Sequence, residues 1–224
     1  GANVITYRNI TICDYICPMN LLYRSLNGQI KVFESEYHAI PDNRKAILVQ
    51  LAAFVRQKSA DHQPALLNFI CTHNSRRSHL SQLWAQAAAH YYNVKNVKCF
   101  SGGTEATAFN PRAVNAMAEV GFQITTTDAS ANPKYEVRFS DSAPAVTAFS
   151  KVYSDSFNPA TGFAAIMTCS HADENCPIVF GAEKRISLPF DDPKDFDGTD
   201  QEAVKYYERV LEIGREICFA FSII

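Results

Sequence analysis

Cys71, Arg77 and Ser78 stand at the spacing Cys-x5-Arg-Ser in the run CTHNSRRS, directly after an apolar stretch at 65–70 and before a helix-like pattern. A thiol at the end of a buried strand is most simply a core residue, since cysteine is among the most buried residue types. The residues around this one imply chemistry. A loop joining a strand to a helix turns backbone N–H groups inward, and the helix N-terminus adds partial positive charge, which together cradle a tetrahedral oxyanion. In such a cradle Cys71 is expected as a thiolate nucleophile and Arg77 as a bidentate clamp on two oxyanion oxygens. Thr72, His73, Asn74, Ser75 and Arg76 complete the oxyanion-binding loop, with Asn74 bracing it and Ser78 offering its hydroxyl to the thiolate. Arg76, an extra arginine beside the clamp, is either merely solvated or widens the range of anions accepted.

Expelling an oxygen from such an anion calls for a proton donor, and SLPFDDPKDF offers Asp191 and Asp192. A carboxyl before proline is held on extended backbone, suited to reaching over a neighbouring loop; two solvated turn aspartates are the alternative. Cys169 ends another apolar run, and Cys176 follows in CSHADENCP. If the intervening residues are helical, two turns of helix put the pair about 10.5 Å apart along the axis. A disulfide tolerates only about 7 Å between Cα atoms, so the pair closes only if that helix unwinds. A short polar segment should unwind at little cost. His171 lies inside it, either tuning Cys169 or simply solvated.

Positioning these residues requires alternating strands and helices. Strands are expected at 65–70, 94–100, 163–168 and 185–188, and helices at 77–92, 110–120 and 200–220. That alternation implies an α/β fold with an open, mostly parallel sheet flanked by helices. Sites in such sheets form beyond the carboxyl ends of strands, where Cys71, Ser101 and Cys169 fall. Residues 1–62 read as a largely helical N-terminal extension. Its segment 41–58 carries Ile47, Leu48, Leu51, Ala52 and Val55 on one helical face, and a second helix covers roughly 21–37. Residues 63–224 read as the catalytic domain, with an insertion at 129–160 that could contain a hairpin pairing 137–139 with 146–153. Asn110 before Pro111 caps a helix, whereas Cys99 and Cys218 read as core or surface residues and Trp84 and Phe109 as packing.

Composition narrows the classes. Of 224 residues, 47% are hydrophobic and 20% charged, with net charge -2, so neither nucleic acid nor an anionic membrane is an expected partner. No apolar run reaches the length of a membrane span, and the N-terminus has no signal-peptide pattern. Seven cysteines, an odd number, argue against a disulfide framework and for a reducing cytoplasm. Cys13 and Cys17 lack the two further ligands of a zinc site, and no metal or tightly bound cofactor is expected. The chain begins at Gly1, with Met19 a conceivable natural start.

The loop and its setting resemble those of the low-molecular-weight protein tyrosine phosphatases and the arsenate reductases that share their fold. The resemblance spans roughly residues 65–222. In the family the acid is the aspartate directly before proline, here Asp192, and a serine near the cradle matches Ser101. Glycine is common where His73 stands, and cysteine or alanine where Arg76 stands. Members that hold a potassium ion carry an acid where Gln82 stands. The Cys-x6-Cys-Pro pattern is similar to that of the thioredoxin-coupled arsenate reductases. It implies that Cys71 attacks arsenate, Cys169 attacks Cys71, and Cys176 attacks Cys169, leaving a Cys169–Cys176 disulfide for thioredoxin to reduce. The alternative is a phosphomonoester hydrolase working through a Cys71 phosphocysteine, its cysteine pair protecting the nucleophile. Phosphatases of the fold commonly have tyrosines just after the Asp-Pro, whereas Lys194, Asp195 and Phe196 stand here. A third reading is a non-catalytic oxyanion-sensing module.

Overall fold

The computed structural model describes residues 21–175 and 178–224. Four strands form a parallel sheet in the order β2-β1-β6-β7: β1 (Ala65–Cys71), β2 (Val97–Gly103), β6 (Phe163–Met167) and β7 (Ala182–Ser187). Every residue of β6 is buried, and only Leu66 of β1 is partly exposed. Such near-continuous apolar runs, broken in β1 only by buried Asn68, whose Nδ2 donates to Tyr153 O at 3.2 Å, are what a parallel sheet covered on both faces requires.

Two boundaries differ from the sequence reading. β2 starts at Val97 instead of residue 94 because Asn93 and Asn96 take left-handed backbone conformations (φ 57 and 58), which end the preceding helix and delay the strand. β7 starts at Ala182, earlier than its apolar end alone indicates, since β6 pairs with it from Phe163 onward.

Helices cover the sheet. They are α1 (Arg24–Glu36), α2 (Asp42–Ala60), α3 (Arg77–Tyr91), α4 (Pro111–Val120), α5 (Ser170–Asn175) and α6 (Glu202–Ser222). In α1 the buried residues are Leu26, Ile30 and Phe33, and in α2 they include Leu48, Leu51, Ala52 and Val55, one face of each helix. Asn110 caps α4 as expected, its side chain accepting from Arg112 N–H at 2.9 Å. Gly214 admits a close crossing of α6: a Cβ there would lie 2.6 Å from Trp84 and 2.9 Å from Phe33. One hydrophobic core therefore takes in Leu26 and Phe33, Leu48 and Leu51, Leu67 and Phe69, and Ile213 and Ile217.

A second, antiparallel sheet joins β3 (Gln123–Thr125), β4 (Tyr135–Arg138) and β5 (Val146–Ala148). A hairpin is present as expected, with Val137 opposite Val146, but its strands are Tyr135–Arg138 and Val146–Ala148, the second ending well short of residue 153; β3 was not anticipated. Beyond it the chain returns to the main sheet, where Val152 bridges Gly103 in parallel. No helix among the described residues is long and apolar enough to cross a membrane.

Candidate active site

Cys71 is the last residue of β1, and Arg77 the first of α3. Residues 72–76 turn between them with Asn74 at φ 44, a left-handed conformation that asparagine tolerates better than most side chains. The carbonyls of this loop are taken from outside. Thr104 N–H donates to Cys71 O, Glu105 N–H to Thr72 O and Asn110 N–H to Ser75 O, at 2.8–3.1 Å. His73 O accepts from both Thr107 Oγ1 (3.2 Å) and Ser150 Oγ (2.9 Å). With these carbonyls taken from outside, the loop meets the requirement for a strand-to-helix turn that offers N–H groups to an oxyanion.

Gly103, paired with Cys71 across the sheet, makes this loop possible. A Cβ there would lie 2.6 Å from Thr72 O and 2.7 Å from Asn74 N. Asn74 Oδ1 accepts from Lys151 N–H at 2.9 Å, while its Nδ2 donates to Ser78 Oγ at 2.9 Å. Because the amide occupies a lone pair of Ser78 Oγ, that hydroxyl has its proton free for Cys71 Sγ, 3.1 Å away.

Cys71, His73, Ser75, Arg76, Arg77 and Asp192 line one small pocket. Asp192 precedes the short 3-10 helix Pro193–Phe196 and caps it, its side chain accepting from Lys194 N–H at 3.1 Å. Arg77 Nη2 donates to Asp192 Oδ2 at 2.6 Å and Nη1 to Phe190 O at 2.9 Å. Arg76 is not solvated: it is buried, with Nε 2.8 Å from Asp192 Oδ1 and Nη2 3.5 Å from Oδ2. Burial alone would push the Asp192 carboxyl up, but the Arg77 and Arg76 guanidiniums outweigh it and hold the group below its ordinary value. Asp191 turns away to Arg209, 3.5 Å distant, with its side chain in solvent.

The second thiol stands at the same end of the sheet. Ile70 is opposite Met167, so Cys169, just past β6, lies beside the cradle. Thr72 Oγ1 is 3.5 Å from Cys169 Sγ and 3.2 Å from His171 Nδ1. His171 is thus tied to the loop through Thr72 and is not a purely solvated side chain. Cys169 Sγ also accepts from Ala172 N–H at 3.4 Å, in the first turn of α5. The segment 170–175 is helical, which meets the condition set by the spacing of the pair; Cys176, like Cys13, Cys17 and Met19, lies outside the described residues.

Ser101 does not face the pocket. It sits within β2 opposite Phe69, and its Oγ is 3.2 Å from Nδ1 of His79, a fully buried imidazole stacked on Phe109. Burial and the nearby Lys151 charge push His79 well below its ordinary value, so it is neutral packing behind the loop. Cys99 and Cys218 are core thiols, pushed up by burial. Gln82 donates to Cys99 O at 3.1 Å, and no group of three or more metal-ligating side chains exists among the described residues.

Sequence reasoning missed four supporting residues. Gly103 was visible only as a strand end, and Ser150 and Lys151 lay in what read as an insertion. The fourth is Arg44 in α2. It donates to both oxygens of buried Glu216 on α6 (2.5–3.1 Å) and to Pro189 O at 2.9 Å, and lies over the Phe190 ring. The segment carrying Asp192 is therefore held from behind by α2.

A parallel sheet in this order, carrying a Cys-x5-Arg-Ser cradle between β1 and α3 and an Asp-Pro facing it, is the build of an enzyme that handles an oxyanion with a thiol and an arginine. Sequence comparison narrows the class. The chain is 31% identical to an arsenate reductase of Bacillus subtilis strain 168 over 153 residues, 68% of this chain and 91% of the relative. It is 33% identical to an arsenate reductase of Bacillus licheniformis over 153 residues, 66% of this chain and 89% of that one. The chain belongs to the arsenate reductase family. No protein-family model matches it. Among solved structures, a low-molecular-weight protein tyrosine phosphatase from T. tengcongensis aligns over 71% of this chain and 99% of its own, at 16% identity and a TM-score of 0.48.

Proposed function

We propose that the protein reduces arsenate to arsenite through Cys71, Cys169 and Cys176. The observation that carries this reading is the placement of Cys169 against the cradle through Thr72, which gives the nucleophile a second thiol as neighbour. Arsenate would be held by the loop N–H groups and Arg77. The Cys71 thiolate, favoured by the Ser78 hydroxyl, attacks arsenic and displaces one oxygen as water. Cys169 thiolate then attacks Cys71 sulfur; the S–As bond breaks, its electron pair stays on arsenic, and arsenite leaves. Cys176 attacks Cys169 in turn, freeing Cys71 and producing a Cys169–Cys176 disulfide. An external dithiol of the thioredoxin class then accepts the oxidising equivalents. Unwinding of α5 is required for that last disulfide, and six residues make a weak helix. This cycle requires a reducing compartment, and a cytoplasmic setting fits it.

Phosphomonoester hydrolysis would use the same first step and end by hydrolysis of a phosphocysteine. The location of Asp192 at the cradle keeps that reading alive, since an ester oxygen needs a proton donor. The test is arsenate-dependent NADPH oxidation with thioredoxin and thioredoxin reductase, comparing wild type with Cys169→Ser and Cys176→Ser. Turnover that disappears in both variants supports the relay. Absence of arsenate turnover, with aryl phosphate hydrolysis that survives both substitutions, would replace it with a phosphatase.

A further inference from the structure

Asp192 has two cationic partners where one would serve. Arg77, the residue expected to clamp the oxyanion, gives it a single Nη2 contact at 2.6 Å. Arg76 meets both carboxylate oxygens, through Nε at 2.8 Å and Nη2 at 3.5 Å. When an oxyanion takes the Arg77 contact, the Arg76 grip remains. The other groups around the carboxylate are the Lys194 N–H at 3.1 Å, His73 across the pocket, and Tyr206 on α6, whose hydroxyl is given to Asp197 at 2.8 Å. Asp191, the neighbouring carboxylate, points to Arg209. Nothing in this set favours a protonated Asp192 over an ionised one.

We propose that Arg76 is a specificity-determining positioning residue. Its fork keeps Asp192 a carboxylate while the cradle is occupied, so that the site discriminates against esters and in favour of oxyanions that bring their own protons. This rests on the reading of the site as an arsenate reductase. Dihydrogen arsenate carries two protons, and thiolate attack can expel one oxygen as water with both of them, giving a thioarsenate dianion; charge and atoms balance with no protein acid. A phosphate monoester has no proton on its bridging oxygen. Thiolate attack then expels an alkoxide or phenoxide, which leaves readily only if it is a weak base or is protonated by the enzyme.

The experiment compares p-nitrophenyl phosphate with phenyl phosphate, whose leaving group is far more basic, in the full chain and in Arg76→Ala, Arg76→Lys and Arg76→Ala/Asp192→Asn. Wild type is expected to discriminate strongly between the two esters. Arg76→Ala should raise kcat for phenyl phosphate by about tenfold or more, a fraction of what a positioned general acid supplies, and should narrow the ratio between the esters. Its kcat for phenyl phosphate should fall as pH rises through the Asp192 titration, and the double variant should lose both gains. Arg76→Lys, a point charge without the fork, should fall between wild type and Arg76→Ala, which guards against misfolding of the alanine variant. An unchanged ratio in Arg76→Ala, no detectable hydrolysis of phenyl phosphate by it, or a gain that persists without Asp192 overturns the proposal. Arsenate turnover of wild type, measured alongside, fails or succeeds independently of these ratios and so judges the reductase reading separately.

Discussion

Thr72 Oγ1 lies 3.5 Å from Cys169 Sγ, so the residue that follows the nucleophile is also a neighbour of the second thiol. Its hydroxyl can donate to a Cys169 thiolate while accepting from or donating to His171. Thr72→Val keeps the shape and removes the hydroxyl. We expect the Cys71–arsenate step to survive and formation of the Cys71–Cys169 disulfide to slow by about tenfold, the value of about one hydrogen bond to a charged group. Quenched single-turnover reactions followed by mass spectrometry measure it; equal rates in both proteins would remove Thr72 from that step.

Ser78 has one hydroxyl proton, and the Asn74 amide leaves it directed at Cys71. Ser78→Ala should therefore slow alkylation of Cys71 by iodoacetamide at neutral pH by about tenfold, since each 1.4 kcal/mol is about a factor of ten. Faster or unchanged alkylation would remove Ser78 from the activation of Cys71.

Gly103→Ala tests the scaffold beneath the loop. With Thr72 O at 2.6 Å and Asn74 N at 2.7 Å from the added carbon, backbone must move, because neither atom belongs to a flexible side chain. A loss of about 2 kcal/mol or more in urea unfolding is expected, within the usual range for overpacking, together with weaker protection by arsenate or phosphate. A variant as stable as wild type would mean that the loop has slack.

How legible the site was in the sequence depended on chain separation. Cys71, Asn74, Arg77 and Ser78 lie within eight consecutive residues, and a strand–loop–helix reading suffices to place them on one loop. The sheet core was legible for the same reason: the run that became β6 is apolar throughout, and the one that became β1 is apolar but for Asn68. Arg76 was not, because the partner that buries it is 116 positions away, and an arginine beside an anion loop looks solvated until that partner is known. Ser150 and Lys151 escaped because their contacts are made by a backbone N–H and a small hydroxyl, which leave no residue-type signature. The delayed start of β2 was set by two left-handed asparagines that periodicity does not register.

Asp192 also links stability to pH. Its carboxyl is held below its ordinary value by Arg77 and Arg76 against the opposing effect of burial. A depressed folded-state value contributes stability that is present above the unfolded value, about 4, and is lost as pH falls through the folded one. Asp192→Asn should accordingly be less stable than wild type at pH 7, with the gap closing below about pH 4. Urea unfolding at pH 7, 5, 4 and 3 measures this; a gap that stays constant would mean the two arginines do not distinguish the charged form.

The Arg44–Glu216 pair spans 172 positions of chain and fixes Pro189 from behind. During synthesis the cradle's own residues emerge long before Glu216 does, and until then α2 has nothing on α6 to grip. A nascent chain can thus own a thiol, a loop and an arginine clamp without a fixed rim above them. The reactive cysteine acquires its full surroundings only when the last helix docks, so the timing of chemical competence is set by a contact that closes 172 positions of chain.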